Sequence, residues 1–170
     1  MNPLDPEPRT PADEQLLEYL RQIRAIRETM RKPSEFVYSC VEDFLLKHGT
    51  FFQIDGLPAT IRPMRLGECY ENAWRVSNRS KAYHYVEGVA LGVIPLSHAW
   101  LVDRDGHAYD PTWAGLDSGP GTSYFGVELN LDEVRLSRRH GSKSLLEDFR
   151  RDFPALTGAE VVAKDAWFHR

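Results

Sequence analysis

The sequence predicts an α+β fold, on three observations. Two helical patterns come first, between residues 13 and 49. A run of β-rich segments occupies residues 83–129, and helical patterns return after residue 131. Helices grouped at the ends with strands in the middle favour α+β over a repeated βαβ unit. The 170 residues suit a single domain, expected over 13–170, and 42% hydrophobic residues are enough for a core.

Residues 1–12 carry Pro3, Pro6, Pro8 and Pro11 among charges, and read as a flexible arm. A chain starting at Ala12 is expected to keep its melting temperature. Asp13 is the expected N-cap of a helix reaching about Arg31, with Leu16, Leu17, Leu20, Ile23, Ile26 and Met30 on one stripe. Pro33 interrupts it. A second helix is expected from Ser34, with Phe36, Val37, Cys40, Val41, Phe44 and Leu45 on its apolar face and Gly49 as its stop. Phe51 and Phe52 start a short strand, and Pro58 and Pro63 mark the loop after it.

A short helix is expected from Gly67–Cys69 to about Val76. Tyr83–Leu91 is a strand. Ser97–Asp103 and His107–Asp110 form a hairpin around Arg104-Asp105-Gly106. A three-residue loop puts Asp103 opposite His107 and Trp100 opposite Asp110, so that Asp110 lies diagonal to His98 on one face. A two-residue loop would send Asp110 to the other face. Tyr124–Leu129 is a further strand. Asp132–Arg139 and Ser144–Phe153 read as helices, the latter opened by the capping-box spacing of Ser144 and Glu147.

Composition excludes several classes. No apolar run approaches the ~18 residues of a membrane span. Met1–Glu14 lacks the features of a signal peptide. A net charge of −4 does not point to nucleic acid. Two cysteines, Cys40 and Cys69, cannot make a disulfide framework or a four-thiolate zinc site, and a reduced, cytoplasmic setting is expected. His84 and His107 have no ligand-like spacing to His98, so neither a metal nor a cofactor is expected. Oligomeric state is not legible in the sequence.

The chemistry concentrates in Gly67-Glu68-Cys69-Tyr70-Glu71-Asn72, Ser97-His98-Ala99-Trp100 and Tyr109-Asp110-Pro111-Thr112. A helix N-terminus offers free N–H groups to a thiolate. An imidazole takes its proton, and a carboxylate on the far nitrogen fixes the ring. Glu68 opposes thiolate formation, and Arg62 or Arg65 is placed to offset it. Any one of these residues alone reads as core or turn, but the ordered set favours catalysis. Candidates for substrate or oxyanion contacts are Asn72, Trp100, Gln53 and Tyr85. Cys40 reads as core. Glu87 reads as a solvent-facing strand residue, with the cleft wall as the alternative. Arg135, Arg138, Arg139, Lys143, Arg150 and Arg151 form a basic surface open to solvent or to an acidic partner.

These motifs resemble the transglutaminase-like group of papain-like cysteine enzymes over residues 67–113. There a Gly-x-Cys helix start precedes a His-Ala-Trp strand and an Asp-Pro-Thr strand end. The resemblance implies a helix packed on an antiparallel sheet, with Cys69 as nucleophile, His98 as base and Asp110 as third member. The implied reaction is acyl transfer through a Cys69 thioester, with a protein or peptide as substrate. Water as acceptor gives hydrolysis of a peptide or isopeptide bond, or glutamine deamidation. An amine acceptor gives cross-linking or acetylation, and a non-catalytic binding module is the reading from another class. Arg65-Leu66-Gly67-Glu68-Cys69-Tyr70-Glu71-Asn72 is also similar, more weakly, to a stretch of arylamine N-acetyltransferases.

Overall fold

The computed structural model describes residues 6–30 and 32–164. Residues 1–5 of the expected arm, the expected helix end at Arg31, and residues 165–170 lie outside them. The fold is α+β, with helices packed on an antiparallel sheet.

Helix α1 spans Pro11–Glu28, and its N-cap is Thr10 rather than Asp13. Pro11 suits the first helical position, where its missing N–H is no loss. Asp13 is the third residue of a capping box. The Asp13 N–H donates to Thr10 Oγ1 (3.1 Å), and the Thr10 N–H donates to Asp13 Oδ2 (3.1 Å). Asp13 also accepts a hydrogen bond from Ser123 Oγ at 2.6 Å, tying the helix start to the sheet. The cap therefore lies inside the expected arm. A chain beginning at Ala12 loses it and is expected to be destabilised by about 1–2 kcal/mol. One beginning at Glu7 should keep the urea midpoint of the full chain. Leu16, Leu17 and Leu20 are fully buried, whereas Ile26 and Met30 emerge into solvent.

The second helix, α2, spans only Val41–His48 and does not begin at Ser34. The preceding N–H groups are used elsewhere: those of Val37 and Tyr38 both donate to the Leu156 carbonyl (2.8 and 3.2 Å). Gly49 ends α2 in extended conformation, where a Cβ would come within 2.6 Å of the Phe125 ring.

Strand β1 is Thr50–Phe52 and α3 is Cys69–Arg79, three residues longer than expected. Strands β2 (Tyr83–Leu91), β3 (Pro95–Asp103), β4 (Ala108–Tyr109) and β5 (Ser123–Glu128) follow, then α4 (Leu131–Arg139), capped by Asn130. The expected helix over Ser144–Phe153 is absent, and only Phe149–Arg151 forms a 3₁₀ turn. Ser144 Oγ accepts the Glu147 N–H (3.1 Å) as a cap would, but it and the N–H groups of Leu145 and Leu146 donate to Glu87 and no helix follows. Asp152 and Phe153, both at φ 53°, end the segment.

The sheet order is β1-β5-β2-β3-β4, with every neighbouring pair antiparallel. It curls until Ile54, just past β1, bridges Ala108 of β4. Side chains alternate between its two faces. The outer face, with Tyr85, Leu101, Phe125 and Val127, packs against Leu16, Leu17, Phe44 and Ala73 from the helices. The inner face carries Phe52, Val86, Trp100, Val102 and Tyr124, with Trp113 packed beside them. Gly126, Gly88 and His98 stand in one row across three strands. A Cβ on Gly88 would fall 2.1 Å from the Phe125 carbonyl oxygen, so this close strand approach requires glycine. No helix among the described residues is long and apolar enough to cross a membrane.

Candidate active site

The β3–β4 hairpin sets the site. Gly106 adopts φ 89°, and the Asp103 N–H donates to the His107 carbonyl at 2.9 Å. Leu101 pairs with Tyr109 and Val102 with Ala108. This is the register of the three-residue loop, and it leaves Asp110 on the face of His98. The two are hydrogen-bonded, His98 Nε2 to Asp110 Oδ2, at 2.9 Å. His98 is 2% exposed and Asp110 fully buried.

Four groups hold the Asp110 carboxylate. Oδ1 accepts from the N–H groups of Thr112 (2.8 Å) and Trp113 (3.1 Å), and Oδ2 accepts from His98 and from the Tyr124 hydroxyl (2.7 Å). Burial opposes its ionisation, but these bonds and the adjacent imidazole keep its pKa below the usual carboxylate value. The same carboxylate, with burial, pushes the Tyr124 hydroxyl well up. Trp113 lies flat on His98, with ring centroids 4.1 Å apart and planes at 23°.

Cys69 is the first residue of α3 and is partly exposed. No side chain caps this helix, so its leading N–H groups remain open. The thiol lies near enough to the His98 ring to help raise its pKa. Since Nε2 is held by Asp110, Nδ1 is the nitrogen left for Cys69. Asn72 ties the two halves of the site together: Nδ2 donates to the Arg65 carbonyl (2.7 Å) and to Thr112 Oγ1 (3.0 Å). The Met64 N–H donates to the Pro111 carbonyl (2.7 Å). Arg65 pairs with Glu68 at 3.1 Å.

Burial opposes charge on His98, but hydrogen bonds and charge from Asp110 and Cys69 outweigh it and raise its pKa to about 9. The folded value lies above the ordinary 6.5, so the protonated ring stabilises the fold fully below about 6.5. That contribution is lost as pH rises towards about 9. Melting temperature is expected to fall over this interval, and less steeply in Cys69→Ala. Parallel melting curves against pH check this.

The remaining candidates make contacts of their own. The Asn72 amide hydrogens are both engaged, which leaves them no oxyanion to bind. The Tyr85 hydroxyl, on the outer face, donates to Glu87 Oε1 at 2.9 Å. Trp100 is fully buried on the inner face behind His98. Gln53 is exposed after β1, and no hydrogen bond among the described residues joins it to Cys69 or His98. Glu87 is 1% exposed, so it does not face solvent, and it lines a small cavity with Tyr70, Ser97 and Ser144. His84 pairs with Glu128 (2.8 Å) and His107 approaches Asp103 (3.5 Å), away from His98. Sequence reasoning missed Tyr124 and the stacking of Trp113. The alternation along Tyr124–Leu129 was the available signal for Tyr124, but strand order was needed to use it. Cys40 is 3% exposed, as its apolar setting implied.

No family model, no curated protein and no solved structure matches the chain.

Proposed function

We propose that the protein is a cysteine-dependent acyl-transfer enzyme with a papain-like, transglutaminase-like core. Cys69 is the nucleophile, His98 the base and Asp110 the group that fixes the ring. The observation that carries this reading is the placement of one imidazole between a buried carboxylate and a partly exposed thiol at an uncapped helix start. That is the arrangement nucleophilic catalysis requires.

In the proposed reaction the Cys69 proton is already held on His98 Nδ1, as the raised pKa of the ring favours, and Sγ attacks an acyl carbon. The leading N–H groups of α3 face the developing oxyanion. His98 then protonates the departing amine or ammonia, leaving a thioester on Cys69. A water attacks the thioester, its proton passes to His98, and the Cys69 thiol is regenerated as the acid leaves. The favoured reaction is hydrolysis of a peptide or isopeptide bond, or deamidation of glutamine. An amine in place of water would give cross-linking or acetylation.

The test begins with the two thiols. Brief iodoacetamide treatment of the native protein at neutral pH should modify Cys69 at least about tenfold faster than Cys40. Burial raises the Cys40 pKa and closes it to reagent. Glutamine-, ester- and ubiquitin-like acyl probes should then leave an adduct at Cys69, located by peptide mass spectrometry. Equal alkylation rates with no acyl adduct would support a binding module that keeps the fold.

A further inference from the structure

Away from the thiol, a cavity of about 530 Å³ opens where α3 ends, β2 begins and α4 starts. Its size is that of a small-molecule site. Its walls hold Arg79, Lys81, Arg104, Arg135 and Lys164 against a single carboxylate, Asp132. In a chain of net charge −4, that gathers positive charge in one concavity. Arg135 is engaged by Asp132 (2.6 Å) and Asn78 (3.1 Å), and Lys164 by Glu160 (3.2 Å). Arg79, Lys81 and Arg104 are exposed, and no ion pair is seen for them among the described residues.

These three cations come from separate parts of the chain: the end of α3, the turn into β2 and the β3–β4 loop. The fold brings their mutual repulsion to one mouth, and a multiply charged anion relieves it. Guanidinium forks suit phosphate oxygens. Deeper in, Tyr83 and Leu129 provide apolar surface. A second basic cavity, with Arg138 and Arg139, shares Asn78 and Arg135 with the first.

We propose that this cavity binds a small molecule bearing two or more phosphate groups. Its concave form and limited volume favour such a ligand over an extended acidic peptide. Cys69 stands at the opposite end of α3, about 15 Å along the helix axis, so binding can be read without the thiol chemistry.

The experiment is calorimetric titration of the full chain with inorganic pyrophosphate, repeated at two salt concentrations. Saturable one-site binding is expected, weaker at higher salt. Lys81→Glu and Arg104→Glu should each weaken it at least about tenfold, and the neutral Lys81→Gln and Arg104→Gln by less. Lys143→Glu, an equal charge change elsewhere, should leave it within about twofold. These side chains are exposed, so melting temperature and Cys69 alkylation should not change. The neutral variants serve if a reversed charge disturbs folding. Absence of saturable binding up to about 10 mM pyrophosphate would overturn the proposal. So would equal weakening by Lys143→Glu, or binding of a polyglutamate peptide but not of pyrophosphate.

Discussion

Asp110→Asn should fold normally and lower acyl-transfer turnover by about 10³–10⁴-fold. The new amide oxygen can still accept from the Thr112 and Trp113 N–H groups, so the turn survives. The amide nitrogen then faces His98 Nε2, where Asp110 Oδ2 stood at 2.9 Å. An N–H donor there makes Nε2 the acceptor and moves the ring proton to Nδ1. That is the nitrogen turned to Cys69, and once protonated it cannot take the thiol proton. Cys69 alkylation at neutral pH should fall in parallel. Tyr124→Phe removes one of four hydrogen bonds to the carboxylate and should cost far less, about tenfold or below. Turnover of a reactive acyl probe, with circular dichroism as the fold control, checks both. Full activity in Asp110→Asn would remove the carboxylate from the proposed mechanism.

The largest stability effect is expected at Glu87. Its carboxylate accepts from the Tyr85 hydroxyl (2.9 Å), Ser144 Oγ (2.6 Å) and the N–H groups of Leu145 (2.8 Å) and Leu146 (3.1 Å). Burial raises its pKa despite these donors. Because the folded pKa is raised, its stabilising contribution is present at low pH and declines as pH rises through the folded value. Glu87→Ala leaves four donors without an acceptor and opens a void. It should lose about 3–5 kcal/mol in urea denaturation at neutral pH. Glu87→Gln keeps one acceptor oxygen and should lose about 1–3 kcal/mol. Ser144→Ala removes one donor to Glu87 and the acceptor of the Glu147 N–H, and should lose about 1–2 kcal/mol.

Where the local pattern and the tertiary contacts agreed, the sequence was readable. Strand alternation with Gly106 in the loop was enough to place Asp110 beside His98, because the relation is internal to one hairpin. The same holds for β2 and for the start of α3. Misreadings arose where a distant partner took the local hydrogen-bonding groups. Ser144 accepts the Glu147 N–H as its spacing implies, yet its hydroxyl also donates to a carboxylate 57 residues earlier. Residues 34–40 have helical periodicity, but Val37 and Tyr38 donate to Leu156. Glu87 looked solvent-facing because a strand glutamate normally is, and nothing near it in sequence announces its four donors. The partners of Asn72, Arg65 and Thr112, were visible only in the folded chain.

The strand order also bears on how the protein reaches its native state. β2, β3 and β4 are consecutive and joined by short hairpins, so they can pair with little loop-closure entropy. β1 must wait for β5, the Ile54 bridge must wait for β4, and Asp13 meets a serine 110 residues away. Contacts of that span are formed late and slow the whole process. The histidine and aspartate therefore belong to the early-forming hairpin, while α1 and β1 close over it afterwards. A chain that has lost only its N-terminal packing would still present the paired imidazole and carboxylate, and amide exchange should protect β2 and β3 longer than β1.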